Sequence, residues 1–253
     1  MKKRHFFILA AMIALTPLFS CGKGIHNRLN GHQERVIKSE LKNEQKKSGE
    51  KIAADNFDCH FFSPVPESVF KKMEGKSFPK DCPVDIKELT YMKFSHYGFD
   101  GKTHTGELVV NKAVAKKLTR IFHQLYEAKY QIEKIKLIDE YGADDEASMS
   151  DNNTSAFCYR KIAGSTNLSV HAKGLAIDIN PLYNPCVHYK NGKISKVEPK
   201  NGQAYVERAA NDPRRIKKGD FIYKLFVTNG FTWGGDWKTL KDYQHFEYDP
   251  EKE

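Results

Sequence analysis

The chain has 253 residues, 40% of them hydrophobic and 29% charged, which allows a normal globular core in one large domain or two small ones. Its formal net charge of +9 is uneven: Lys2, Lys3 and Arg4 supply three charges, and residues 22–55 carry eight Lys/Arg against five Asp/Glu, leaving about +3 for the rest. A mildly basic body with no interleaved arginine–aromatic patch gives no reason to expect a nucleic-acid partner. An anionic envelope polymer or a membrane surface is an equally simple electrostatic match.

The first twenty residues read as a targeting segment. Met1-Lys-Lys-Arg-His5 is a positive leader, and Phe6 to Leu15 is an apolar run too short to span a bilayer comfortably. The run ends in Leu18-Phe-Ser-Cys21, which resembles a bacterial lipobox and implies that Cys21 becomes the lipidated first residue of an exported protein. An ordinary secretory signal that happens to contain a cysteine would export the chain equally well. The expected location is therefore the bacterial cell envelope, with the chain exported and held to a membrane through a lipid on Cys21. Residues 21–55 then form a polar tether almost free of aromatics. As a flexible coil it would reach on the order of 30 Å.

Residues 56–253 are expected to form the working domain. Four cysteines remain there, Cys59, Cys82, Cys158 and Cys186. In an oxidising compartment they suggest two disulfides with three possible pairings, of which Cys59–Cys82 and Cys158–Cys186 are the most local. A tetrathiolate zinc site is the competing arrangement, and the absence of any C-x-x-C spacing speaks against it.

Within this domain strands are expected at 89–97, 106–110, 133–139 and 175–179. Asn111 is a plausible N-cap for a helix whose apolar row is Val114, Leu118, Ile121, Leu125 and Ala128. Residues 140–169 and 184–217 read as long irregular stretches. Gly219-Asp220 opens a second helix carrying Phe221, Leu225 and Phe226, stopped by Asn229-Gly230. Helices and strands mix without regular βα alternation, so the expected fold class is α+β.

Two short motifs carry chemistry. Asp178 lies between Ile177 and Ile179 in a run that otherwise reads as a buried strand, and a buried carboxylate is costly without a partner. His171 precedes it across a glycine turn at Gly174, and His245 lies near the end of the chain in Asp242-Tyr-Gln-His-Phe246. Two histidines and an aspartate make three N/O ligands, the number a catalytic zinc usually takes while keeping a position open for water. Asp242 is suited to act as general base on that water. Glu247 is the competing base, since it shares a face with His245 if that segment is a strand.

The ordered pair Ser169-x-His171-x-x-Gly174-x-Ala176-x-Asp178 and Asp242-x-x-His245-Phe246 resembles the zinc D-Ala-D-Ala carboxypeptidase and L-Ala-D-Glu endopeptidase family, which includes vancomycin-resistance DD-carboxypeptidases and phage endolysins. Gly106 to Asn111, Asn153 to Phe157 with Arg160, Asp178-Ile-Asn-Pro181 and Trp233-Gly-Gly-Asp-Trp237 support the resemblance, over roughly residues 88–248. It implies Zn2+ on His171, Asp178 and His245, and Asp242 as the catalytic carboxylate. It implies Arg160 at the substrate's carbonyl or carboxylate, and Ser169 beside the substrate or the first ligand. The implied fold is a small mixed or antiparallel sheet with flanking helices, of the type shared by DD-peptidases and Hedgehog domains. The implied substrate is a peptidoglycan stem peptide. Which bond is cut, the D-Ala-D-Ala bond or L-Ala-D-Glu, is left open. A non-catalytic lipoprotein that binds wall fragments is the alternative of another class, and retention of all four residues argues against it.

Overall fold

The computed structural model describes residues 57–162, 165–209 and 211–252. The expected signal peptide (1–20), Cys21 and the tether (21–55) lie outside the described residues.

Strand β1 (Cys59–Phe62) is followed by the short helix α1 (Glu67–Met73) and then by the long antiparallel pair β2 (Leu89–Tyr97) and β3 (Thr103–Asn111). The three strands form one sheet in the order β1-β2-β3. Both faces of it are covered. Met92, Phe94, Leu108 and Val110 enter the main core, while Leu89, Tyr91 and Val109 enter a second core with Val65, Val69, Met73, Leu137 and Phe157. This two-sided burial is why seven of the nine residues of β2, polar Thr90, Ser95 and His96 among them, are buried instead of alternating with exposed positions.

Helix α2 (Lys112–Glu127) lies on the main-core face. Asn111 caps it as expected, its Oδ1 accepting from the Ala113 N–H at 3.0 Å, a contact worth about 1 kcal/mol. Val114, Leu118, Ile121 and Leu125 are buried as their spacing predicts, joined by Ala115 and Phe122. Ala128 is instead the exposed C-cap, because Lys129 turns left-handed (φ 52°) and ends the helix at Glu127.

The stretch expected as a strand at 133–139 shortens to β4 (Lys134–Ile135), paired in parallel with β5 (Asn153–Thr154). The buried Asn153 side chain takes over the ladder: its Oδ1 accepts from the Lys136 N–H at 2.8 Å and its Nδ2 donates to the Lys136 carbonyl at 3.1 Å. Between them, the polar stretch at 140–169 holds a short helix, α3 (Asp145–Ser150), capped by Asp144.

Strand β6 (Ala176–Asp178) pairs antiparallel with β11 (His245–Tyr248), which pairs on its other side with β9 (Phe231–Trp233). Ile177 and Phe246 face the main core, where Phe246 stacks on Phe226 with ring centroids 4.0 Å apart. Phe226 belongs to helix α4 (Phe221–Thr228), capped by Asp220 and followed by Asn229 and Gly230 as expected. The irregular stretch expected at 184–217 instead contains a hairpin, β7 (Cys186–Lys190) and β8 (Lys193–Glu198), and β10 (Leu240–Asp242) adds to the free edge of β7. Its turn is Asn191-Gly192 with positive φ at both positions (54° and 72°), the backbone a two-residue hairpin requires. Short antiparallel sheets with helices packed against them make the fold α+β, as expected.

The disulfides are not formed. Cys59, Cys82, Cys158 and Cys186 are unpaired thiols. Cys59 packs against the main core and Cys82 against the second core, on opposite faces of the first sheet, so the proposed staple cannot close. Cys186 lies on β7 and directs its Sγ to His188 Nε2 at 3.6 Å.

Candidate metal and catalytic site

Register brings the site together. In the β6–β11 ladder His245 lies directly opposite Asp178, so both side chains leave the same face of that sheet. The opposite face carries Ile177 and Phe246 into the core. Asp178 is thus an aspartate between isoleucines because its neighbours face the core and it does not.

His171 arrives from a separate turn, the 3₁₀ segment Val170–Lys173. Ser169 caps this turn, its Oγ accepting from the His171 N–H at 3.3 Å. Gly174 closes it with φ 67°, and a Cβ there would lie 2.6 Å from the Asn111 nitrogen and 3.1 Å from the Val110 carbonyl carbon. Only glycine combines that dihedral with so close a backbone approach. The Asn111 N–H in turn donates to the Gly174 carbonyl at 2.8 Å, and its Nδ2 donates to the Lys173 carbonyl at 3.2 Å. The residue that caps α2 therefore also pins the turn carrying His171.

The donor atoms converge. His171 Nε2 is 3.1 Å from His245 Nδ1 and 3.2 Å from Asp178 Oδ2, and His245 Nδ1 is 3.0 Å from Asp178 Oδ1. All three residues are buried. Zinc–nitrogen bonds of about 2.0–2.1 Å imply tetrahedral donor–donor edges of roughly 3.3 Å, so the spacing suits one small cation. The remaining ring nitrogens are engaged on the far side. His171 Nδ1 donates to the Ala156 carbonyl at 2.7 Å, and His245 Nε2 donates to Glu247 Oε2 at 3.2 Å. These contacts direct His171 Nε2 and His245 Nδ1 inward, the outer support that metal-binding histidines normally have. Glu247, the competing base, is thus engaged with the His245 ring. The H-x-E spacing on a strand carried that signal.

The electrostatics agree. Burial would raise the Asp178 carboxyl, yet the His171 and His245 rings hold it far below the usual carboxylate range. Burial opposes charge on His245, but hydrogen bonds to Asp178 and Glu247 outweigh it and raise His245 to about 10. Without a metal, a proton on His245 supplies the positive charge that this donor set demands.

Asp242 stands beside this cluster. Burial pushes its carboxyl up to about 7, with His245 opposing and Asp178 adding to the rise. Its Oδ1 is hidden from solvent and has no hydrogen-bond partner. Gly234 makes the approach possible, since a Cβ there would sit 2.8 Å from Asp242 Cβ and 3.3 Å from His245 Cβ. Trp233 Nε1 donates to the Tyr243 carbonyl at 2.9 Å and anchors the segment between Asp242 and His245, while the Trp237 ring packs 5.2 Å from that of His245.

Arg160 and Ser169 lie at the margin. Arg160 pairs with Asp145 at 2.8 Å and its Nη1 donates to Ser169 Oγ at 3.4 Å. Ser169 Oγ thus links Arg160 to the backbone of His171, a positioning contact in place of open surface.

Residues 163–248 match the family model described as D-alanyl-D-alanine carboxypeptidase. The family resemblance is borne out there. The matched segment contains His171, Asp178, Asp242 and His245; Arg160 lies three residues before it. No curated protein and no solved structure gave a match. The match supports a peptidase acting on peptidoglycan peptides, and peptidases of the matched family are generally metal-dependent.

Proposed function

We propose that the protein is a zinc-dependent peptidase of the D-Ala-D-Ala carboxypeptidase type, acting on peptidoglycan stem peptides outside the cytoplasm. The observation that carries the reading is the set of three donor atoms at mutual distances of 3.0–3.2 Å beside a carboxylate oxygen that has no partner. His171, Asp178 and His245 would hold the ion. A bound zinc supplies Lewis acidity, polarising a carbonyl and making a water easier to deprotonate.

The chain's own residues do the rest. Asp242 takes a proton from the attacking water as the new C–O bond forms. It returns that proton to the amine nitrogen as the C–N bond breaks, so that one carboxylate serves as base and then acid. Burial of the Asp242 carboxyl favours its taking up a proton in the first half of that exchange. Glu247 and the Ala156 carbonyl keep the two rings from rotating. In this reading Arg160 faces the substrate's carboxylate or carbonyl. Export on a lipidated Cys21, with residues 21–55 as tether, would let the domain search the wall.

One observation favours the second reading, an L-Ala-D-Glu endopeptidase. Arg160 is already neutralised by Asp145 at 2.8 Å, which weakens it as a receptor for a terminal carboxylate. The deciding experiment incubates the purified protein with defined muropeptides, with zinc and with chelator, and identifies products by mass. Loss of D-Ala supports the carboxypeptidase, and cleavage after L-Ala supports the endopeptidase. Zinc binding without either product overturns the catalytic reading and leaves a wall-binding lipoprotein.

A further inference from the structure

A second group of metal-ligating side chains lies on the β10-β7-β8 sheet. Cys186 and His188 are two residues apart on β7 and so share a face, and Glu198 on β8 is the direct cross-strand partner of Cys186. The ladder slips register between His188 and Tyr189. Such irregularities re-aim side chains beside functional sites. His188 Nε2 lies 3.6 Å from Cys186 Sγ and 2.6 Å from Glu198 Oε2, and the ligand atoms of all three residues lie within 4.8 Å of one another. Zinc–sulfur and zinc–nitrogen bonds of about 2.3 and 2.0–2.1 Å imply a tetrahedral S–N edge of roughly 3.5 Å.

We infer that Cys186, His188 and Glu198 form a second divalent-cation site, of the thiolate, imidazole and carboxylate type that suits zinc. The fourth position faces outward: Cys186 is buried, but His188 and Glu198 are partly exposed, which leaves a path from solvent. Binding replaces the thiol proton by the metal, and that proton passes to solvent. Glu198 also pairs through Oε1 with Lys196 at 2.6 Å, so Oε2 is the oxygen that turns to the ion.

The site adjoins the first through Asp242. Asp242 is the cross-strand partner of Cys186 on β10. A cation at the second site sets a metal-bound thiolate on the residue directly across the strands from Asp242. The unpaired state of Cys186 is what leaves its sulfur available.

The test is metal analysis of the full-length protein after equilibration with zinc and dialysis, together with spectra of the cobalt-substituted protein. The expected result is two ions per chain and a thiolate-to-cobalt charge-transfer band in the wild type. Cys186→Ser and His188→Ala should each lose one ion and the band. His171→Ala should lose the other ion and keep the band, which separates this site from the peptidase site even if that site binds no metal. Circular dichroism establishes that each variant is folded, and Glu198→Gln, which keeps the side-chain shape, should weaken the band without unfolding. A wild type with no thiolate–cobalt band, or a band unchanged by Cys186→Ser, overturns the proposal.

Discussion

Replacing Glu247 discriminates between two roles for that residue. Its Oε2 accepts from His245 Nε2 at 3.2 Å, and it is one of the groups that raise His245 to about 10. Glu247→Ala frees the ring to rotate and removes the negative charge that makes its inward nitrogen a stronger donor. Outer partners of this kind are worth about 10–100-fold in metal affinity, or roughly 1.4–2.7 kcal/mol. Glu247→Gln keeps an acceptor oxygen without the charge and should fall between wild type and Glu247→Ala. The assay is competition for zinc against a chromophoric chelator at fixed pH, with turnover on a stem peptide measured at saturating zinc. The expected outcome is weaker zinc binding, with most turnover recovered once zinc saturates. A folded Glu247→Ala protein that binds zinc within about twofold of wild type would refute the orienting role. If turnover were also lost at saturating zinc, Glu247 would be the base and Asp242 would not.

Asp242→Asn should keep zinc bound and lower kcat by about 10²–10⁴-fold, the usual contribution of a positioned general base, as metal analysis and steady-state kinetics on one sample would establish. Gly174→Ala combines a left-handed dihedral, about 1–2 kcal/mol, with an overpacked contact on Asn111, about 1–3 kcal/mol, and should lower both the unfolding free energy in urea and the zinc affinity, because the turn that moves carries His171. Metal-free protein should lose stability as pH rises. The His245 contribution is complete below its unfolded pKa of about 6.5 and disappears as pH passes about 10, while ionisation of Asp242 destabilises the fold increasingly from about pH 4 to about pH 7. Thermal unfolding across that range in chelator, then with zinc restored, measures the slope, and a flat metal-free profile would contradict both shifts.

The local patterns of helix and motif were legible along the chain. Asn111 and Asp220 cap the two helices they were expected to cap, because capping depends on atoms within a few residues. His171, Asp178, Asp242 and His245 were identifiable because glycine turns and strand alternation leave local marks. The hairpin at 186–198 was also legible in Asn191-Gly192, although it read as irregular chain. What the sequence could not decide is whatever depends on contacts between distant segments. Asn153 replaces part of a strand ladder through its side chain, from 17 residues away. Cys59 and Cys82 are neighbours in a plausible staple along the chain, yet the sheet between them turns them toward different cores. The residues named as ligands were readable one by one. Their convergence is decided by the β6–β11 register, which sets His245 opposite Asp178, and by the Gly174–Asn111 contact, which brings His171 to them. Backbone pairing between segments far apart in the chain, Asn111 with Gly174 and β6 with β11, makes that geometry, and no local pattern records it.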